Sequence, residues 1–328
     1  MLIDRFARKI DYLRLSVTEL CNIRCSYCMP LEGVVRACHE EILSFEEIIR
    51  LARILAGLGI RRIRLTGGEP LVRKGLPELV RELKAIPQIE EVLLTTNGIL
   101  LAPLAKELRK AGLKKANIHL DSLDPEIFRK ITRWGNLGDV LKGIQEARRV
   151  GLSPIKINMV VQKGINDGEV EKLLEFTARN ELVLRLIELM PIGPARQLAP
   201  GLFVPLEEVK KRLRQRFTLI PSTERVGSGP AVYYKVGELG TLVGFISPVS
   251  EPFCGSCNRV RISSDGRFQD CLAYDGSFSL RDFLRNENFT DEGIANEVVS
   301  LLQGKREGHD GFCQSDGERT PCMFGIGG

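Results

Sequence analysis

Three cysteines fall within eight residues in "CNIRCSYCMP": Cys21, Cys25 and Cys28. Thiolates at this spacing can turn from a loop toward one centre and hold metal. A structural zinc site takes four ligands, whereas a [4Fe–4S] cluster presents four iron corners. Three cysteines on such a cluster leave one iron open to an exchangeable ligand, which can receive an electron directly. The competing readings are a zinc site completed by Cys38, or three ordinary buried thiols; zinc would favour paired C-x-x-C motifs. A second trio, Cys254, Cys257 and Cys271 in "FCGSCNRVRISSDGRFQDC", repeats the count. There the alternative is zinc or a closed cluster, with Cys313 or Cys322 as fourth ligand. Two trios, each one ligand short, point to two open irons facing one cavity, with Cys38, Cys313 and Cys322 left as spare thiols.

Next to the second trio, "NRVRIS" sets Arg259 and Arg261 two residues apart. On a strand both guanidiniums share one face, with Val260 and Ile262 on the other. Two parallel guanidiniums beside a metal site suit bidentate phosphate binding. "TGGEP" places Gly67 and Gly68 at the end of an expected strand, where backbone without side chains can approach a ligand closely.

These groups need a frame. β-rich runs at 11–17, 61–66, 91–96, 115–121, 155–161 and 183–189 alternate with helical patterns near 44–57, 76–85, 101–111, 124–149, 168–180 and 205–216. Ser44 and Glu47 in "SFEE" have capping-box spacing. Strand–helix alternation implies parallel strands with crossover helices, and polar residues at the strand ends mark the active-site face of an α/β barrel. Six units are too few for a closed eight-unit barrel. The expected fold is therefore α/β, an incomplete (β/α)6 TIM-type barrel over 1–217. A smaller Gly- and β-rich part follows over 218–328 and carries the second trio and the closing "FGIGG".

With 328 residues, 43% hydrophobic, the chain can bury a large core. Nine cysteines are too sparse for a disulfide scaffold. No stretch reads as a signal peptide or a membrane span, so a cytoplasmic protein with reduced thiols is expected. The net charge of +5 is interleaved along helices, without the basic–aromatic blocks of a nucleic-acid binder. It suits an anionic small molecule.

The first trio resembles the CxxxCxxC motif of radical S-adenosylmethionine enzymes, and "TGGEP" resembles the motif by which they bind the methionine amino group. The second trio, with thirteen residues between Cys257 and Cys271, resembles one branch: the GTP 3′,8-cyclases of molybdenum cofactor biosynthesis. That resemblance spans nearly the whole chain. It implies two [4Fe–4S] clusters and S-adenosylmethionine, whose deoxyadenosyl radical would take hydrogen from the 3′ carbon of GTP before closure onto carbon 8. It also carries over residues: Arg14, Arg62, Arg64, Lys156, Asn258, Arg259 and Arg261 toward substrate. Tyr27, Gly68, Thr95, His119, Arg185 and Met190 go toward the cofactor. The resemblance further implies that Gly327 and Gly328 form a catalytic tail that reaches the active site. His119 stands where such enzymes usually have serine. "NIHLDS" alternates, so His119 shares a face with Asn117 and Asp121 and points into the barrel mouth. The implied partners are GTP, an electron donor, a downstream cyclic pyranopterin monophosphate synthase and a second copy of the chain, with no nucleic acid and no membrane. The rival readings are a peptide-modifying radical enzyme with an auxiliary cluster, and a zinc-stabilised binding protein.

Overall fold

The computed structural model describes residues 1–34, 38–224, 226–274, 278–309 and 323–326. The six expected strands form: β1 (Tyr12–Ser16), β2 (Arg62–Thr66), β3 (Glu91–Thr96), β4 (Ala116–His119), β5 (Ile155–Val161) and β6 (Val183–Glu188). Each pairs in parallel with the next. The crossovers are α1 (Phe45–Leu58), α2 (Leu76–Lys84), α3 (Leu101–Lys110), α4 (Pro125–Thr132), α5 (Leu137–Arg149) and α6 (Val170–Arg179), followed after β6 by α7 (Ala195–Leu202) and α8 (Leu206–Arg214). The capping box opens α1 as expected: Glu47 N donates to Ser44 Oγ at 3.2 Å, and Ser44 N donates to Glu47 Oε2 at 2.7 Å. The single helix expected over 124–149 is two. Arg133 takes a left-handed φ of +63° at the end of α4, which turns the chain before Asn136 starts α5. Helix α7, in "ARQLAPGL", lies where no element was expected, and it holds Pro200 in its last turn.

The last third adds β7 (Leu219–Ser222), β8 (Val232–Val236), β9 (Thr241–Ile246), β10 (Arg259–Ile262), β11 (Arg267–Gln269), β12 (Phe278–Ser279), α9 (Leu280–Arg285), α10 (Asp291–Gln303) and α11 (Met323–Ile326). These strands extend the same sheet at both ends, in the order β12-β11-β10-β1-β2-β3-β4-β5-β6-β9-β8-β7. Strand β10 joins β1 and β9 joins β6, both in parallel. Antiparallel strands then continue outward on each side.

Alternation assigns the two faces. Outward, Leu13, Leu15, Ile63, Leu65, Leu94, Ile118, Ile157, Leu184, Leu186, Val260 and Ile262 are buried in one apolar core that includes residues of the surrounding helices. Burying each such side chain contributes roughly 1.5–3 kcal/mol. Inward, every one of the eight parallel strands contributes to the lining of a single cavity, among them Arg14, Arg64, Thr95, Asn117, Lys156, Arg185, Ile246 and Arg261. The sheet therefore curves around that cavity as an open barrel. Its interior is polar where an ordinary barrel packs aliphatic layers.

Candidate active site

The first cysteine loop follows β1 and is held from two sides. Gly68 N donates to Thr18 O and Glu69 N to Leu20 O, both at 2.8 Å. A Cβ on Gly67 would stand 2.3 Å from Thr18 O, and one on Gly68 2.4 Å from Leu20 O. The glycines therefore let "TGGEP" dock against the chain leading into Cys21, a closer constraint than the ligand approach read from sequence. Glu69 completes the joint. Fully buried, it accepts from Leu71 N (3.0 Å), Thr96 Oγ1 (2.7 Å) and Asn97 N (2.6 Å), and burial pushes its carboxyl up to about 7. From the other side Arg24 N donates to Thr132 O and Ser26 N to Ile131 O at the end of α4. Burial pushes the Cys21 thiol up to about 11. Cys25 is raised by burial and then by the neighbouring Cys28, Asp121 and Cys21. Thiols so placed ionise together only around a cationic centre.

The second trio lies at the other end of the barrel, where the parallel strands begin. Cys254 opens a single 3-10 turn, Cys257 precedes β10, and Cys271 follows β11. Burial opposes ionisation at Cys257, but Arg259, Lys305 and Arg261 bring its thiol below the ordinary value; at Cys271 burial prevails and the thiol is raised.

Three adjoining cavities connect the trios. One of about 190 Å³ holds Cys21, Cys25 and Cys28 with Tyr27, Gly67, Gly68, Asn97 and His119. A central one of about 140 Å³ occupies the barrel interior. A third, of about 90 Å³, holds Cys254, Cys257, Cys271 and His309. Met190 lines all three; Met323 lines the first two. Among the described residues, the central cavity gathers Arg14, Arg64, Lys115, Lys156, Arg185, Arg259 and Arg261 with a single carboxylate, Glu91. Burial, then the neighbouring guanidiniums, lowers Lys156 to about 7 and Arg261 to about 10. Burial also lowers Arg185 to about 10, and Arg14 falls in the same direction under burial, Arg261 and Arg64. This interior destabilises its own positive charge, which an anion of high charge relieves.

Most residues expected at the site meet here. Arg14, Arg64, Lys156, Arg185, Arg259 and Arg261 line the central cavity; Thr95 lines both it and the first-trio cavity. Arg64 Nε donates to Tyr12 Oη at 2.5 Å, and Arg185 Nε and Nη2 donate to Asn158 Oδ1 at 2.9 and 2.6 Å. Two expected residues are not among the cavity linings. Arg62 lies at the start of β2, paired with Asp11 (2.6 Å), Glu90 (3.5 Å) and Glu91 (3.7 Å). Asn258 Nδ2 donates to the other Asp11 oxygen at 2.7 Å. Gly327, Gly328, Cys313 and Cys322 lie outside the described residues, and Cys38 is exposed. Sequence reasoning missed Glu69, Asn158, Lys115 and Met323; alternation along β5 from Lys156 would have found Asn158.

A curved parallel sheet carrying a three-cysteine loop after its first strand defines a radical S-adenosylmethionine enzyme. The Radical SAM superfamily model matches residues 15–177, and the Molybdenum Cofactor Synthesis C model matches 182–311. The fold resembles the crystal structure of Streptococcus suis SuiB, with a TM-score of 0.60 at 14% identity over 90% of this chain and 66% of that one. The chain is 44% identical to a GTP 3′,8-cyclase of Alkaliphilus oremlandii over 99% of both chains. It is 49% identical to one of Moorella thermoacetica over 95% of this chain and 97% of the relative. The chain belongs to the GTP 3′,8-cyclase family, radical S-adenosylmethionine lyases whose cofactors are that sulfonium compound and two [4Fe–4S] clusters. Two half-buried trios at the ends of one connected chamber fit those cofactors.

Proposed function

We propose that this chain converts GTP to (8S)-3′,8-cyclo-7,8-dihydroguanosine 5′-triphosphate, the first step of molybdenum cofactor biosynthesis. The observation that carries the reading is the central cavity, where, among the described residues, seven cationic side chains and one carboxylate lie between two cysteine trios. Cys21, Cys25 and Cys28 hold the first cluster, and Cys254, Cys257 and Cys271 the second. When bound, S-adenosylmethionine and the first cluster supply the radical chemistry that removes hydrogen from the ribose. Arg14, Arg259 and Arg261 take the triphosphate, with Lys156 and Arg64 completing the charge. Tyr27, Gly68, Thr95, His119, Arg185 and Met190 frame the cofactor. The base lies toward the second trio and the sugar toward the first. Holding both halves of the nucleotide at fixed ends favours ring closure over escape. The barrel wall keeps water from the reacting carbon.

A peptide-modifying enzyme needs a groove open to a chain, and the enclosed cationic interior favours a triphosphate instead. Anaerobic incubation with GTP, S-adenosylmethionine and a reductant, followed by mass analysis, tests the reading. A cyclised dihydronucleotide is expected; failure of GTP to bind the reconstituted protein overturns it.

The working division falls near 217. Residues 1–217 carry the first cluster, and 218–328 carry the second cluster and the tail ending in Gly327 and Gly328. Met323 beside the first-trio cavity supports the approach of that tail to the site. Among the described residues no helix is long and apolar enough to cross a membrane. A cytoplasmic location follows from the need for reduced thiols. An electron donor must reduce the first cluster, a cyclic pyranopterin monophosphate synthase would consume the product, and the chain acts as a homodimer.

A further inference from the structure

Lys305 follows α10 by two residues and is 2% exposed. Among the described residues its ammonium has no carboxylate partner; it donates to two carbonyls, Arg259 O at 3.2 Å and Asp270 O. Those carbonyls belong to particular places. Arg259 begins β10, two residues after Cys257, and Asp270 immediately precedes Cys271. One buried ammonium therefore ties together the two strand ends that carry two of the three thiols. The third is tied from the same segment. Arg8, paired with buried Asp4 at 2.6 Å, donates to Cys254 O (2.9 Å), Arg306 O (2.6 Å) and Glu307 O (2.7 Å).

A buried ammonium that meets only carbonyl dipoles is costly unless an anion shares its surroundings. A thiolate-ligated cluster is such an anion, and a nearby cation favours its reduced, more negative form. We propose that Lys305 is a positioning residue for the second cluster, holding the Cys257 and Cys271 strand ends together and setting the cluster's reduction potential by its charge. The inference rests on the assignment of Cys254, Cys257 and Cys271 to that cluster.

The test uses the full chain, reconstituted anaerobically with iron and sulfide. Cys257→Ala is measured alongside; if it keeps wild-type iron, the assignment itself fails, whatever Lys305 does. Given that control, Lys305→Met is expected to hold about half the wild-type iron, the complement of one [4Fe–4S] cluster of two, while still cleaving S-adenosylmethionine. Lys305→Gln keeps a donor without the charge. It is expected to keep its iron while the midpoint potential of the second cluster, followed by electron paramagnetic resonance, moves to a more negative value. Wild-type iron in Lys305→Met overturns the bracing role, and a wild-type midpoint in Lys305→Gln overturns the electrostatic one. Should Lys305→Met not fold, the midpoint of Lys305→Gln decides.

Discussion

Tyr27 and His119 converge on one oxygen: the tyrosine hydroxyl lies 2.8 Å, and His119 Nε2 2.7 Å, from Asp121 Oδ2. The hydroxyl and the ring nitrogen are themselves 2.5 Å apart. Burial opposes charge on the imidazole, yet the Asp121 carboxylate raises its pKa above the ordinary value. The cluster loop is thus tied through Tyr27 to the end of β4. Tyr27→Phe removes the hydroxyl but keeps the ring, so iron content is expected to persist. Affinity for S-adenosylmethionine is expected to fall roughly tenfold, the scale of one hydrogen bond to a charged group, as equilibrium binding would measure. Unchanged affinity would show that the tie does not orient the cofactor pocket.

Gly68→Ala forces a methyl to within 2.4 Å of Leu20 O and 2.6 Å of Glu19 O. Both obstacles are backbone, so no rotamer change relieves them. A loss of stability of about 1–3 kcal/mol is expected, with first-cluster occupancy falling more than second. Thermal unfolding and iron analysis check both; a fully loaded, wild-type-stable variant would contradict the docking role of this glycine.

Lys156 sits at about 7 through burial and then the neighbouring Arg185 and Arg64. A bound triphosphate favours its charged form and raises that value. At pH 8 the free protein must then take up a proton on binding, so GTP affinity should fall as pH rises above 7. Calorimetry in buffers of different ionisation enthalpy reads the uptake directly. Lys156→Met should abolish most of it, and an equal uptake in that variant would assign the proton elsewhere.

Arg259 and Arg261 line both the central and the second-trio cavities. Arg259→Ala removes one charge-assisted phosphate contact, which costs about 1.5–3 kcal/mol. That corresponds to roughly ten- to a hundred-fold weaker GTP binding, with first-cluster cleavage of S-adenosylmethionine left in place. Arg62→Ala serves as its contrast, because Arg62 is held by Asp11, Glu90 and Glu91 and should leave GTP affinity within about threefold.

Local pattern carried much of this arrangement. β-rich runs located the six strands, and period-two alternation put Arg259 with Arg261, and His119 with Asn117, on shared faces, because side-chain direction in a strand depends on parity alone. Arg14, Arg64, Lys156 and Arg185 came from the family resemblance. Partnership is different. Arg62 and Arg64 have the same parity, yet Arg62 is drawn to Asp11, Glu90 and Glu91 while Arg64 meets Tyr12 Oη and Leu94 O. Those partners come from other segments, so sequence could not tell the cavity cation from the one paired with carboxylates. The partner of Asn258 was hidden for the same reason, since Asp11 is 247 residues away. The glycine pair was legible as a special backbone site, but the obstacle it avoids, Thr18 to Leu20, became visible only once β1 and β2 were side by side.

Strands β9 and β10 flank β6 and β1, and both come from the last third of the chain. Ribosomal synthesis therefore delivers the loop of the first trio long before the two staves that finish the vessel. Until those staves arrive, a nascent protein has no enclosed compartment in which a carbon-centred radical could be kept from solvent. The enclosure is thus a property of the whole chain: its two closing walls come from the segment farthest along the sequence from the first trio.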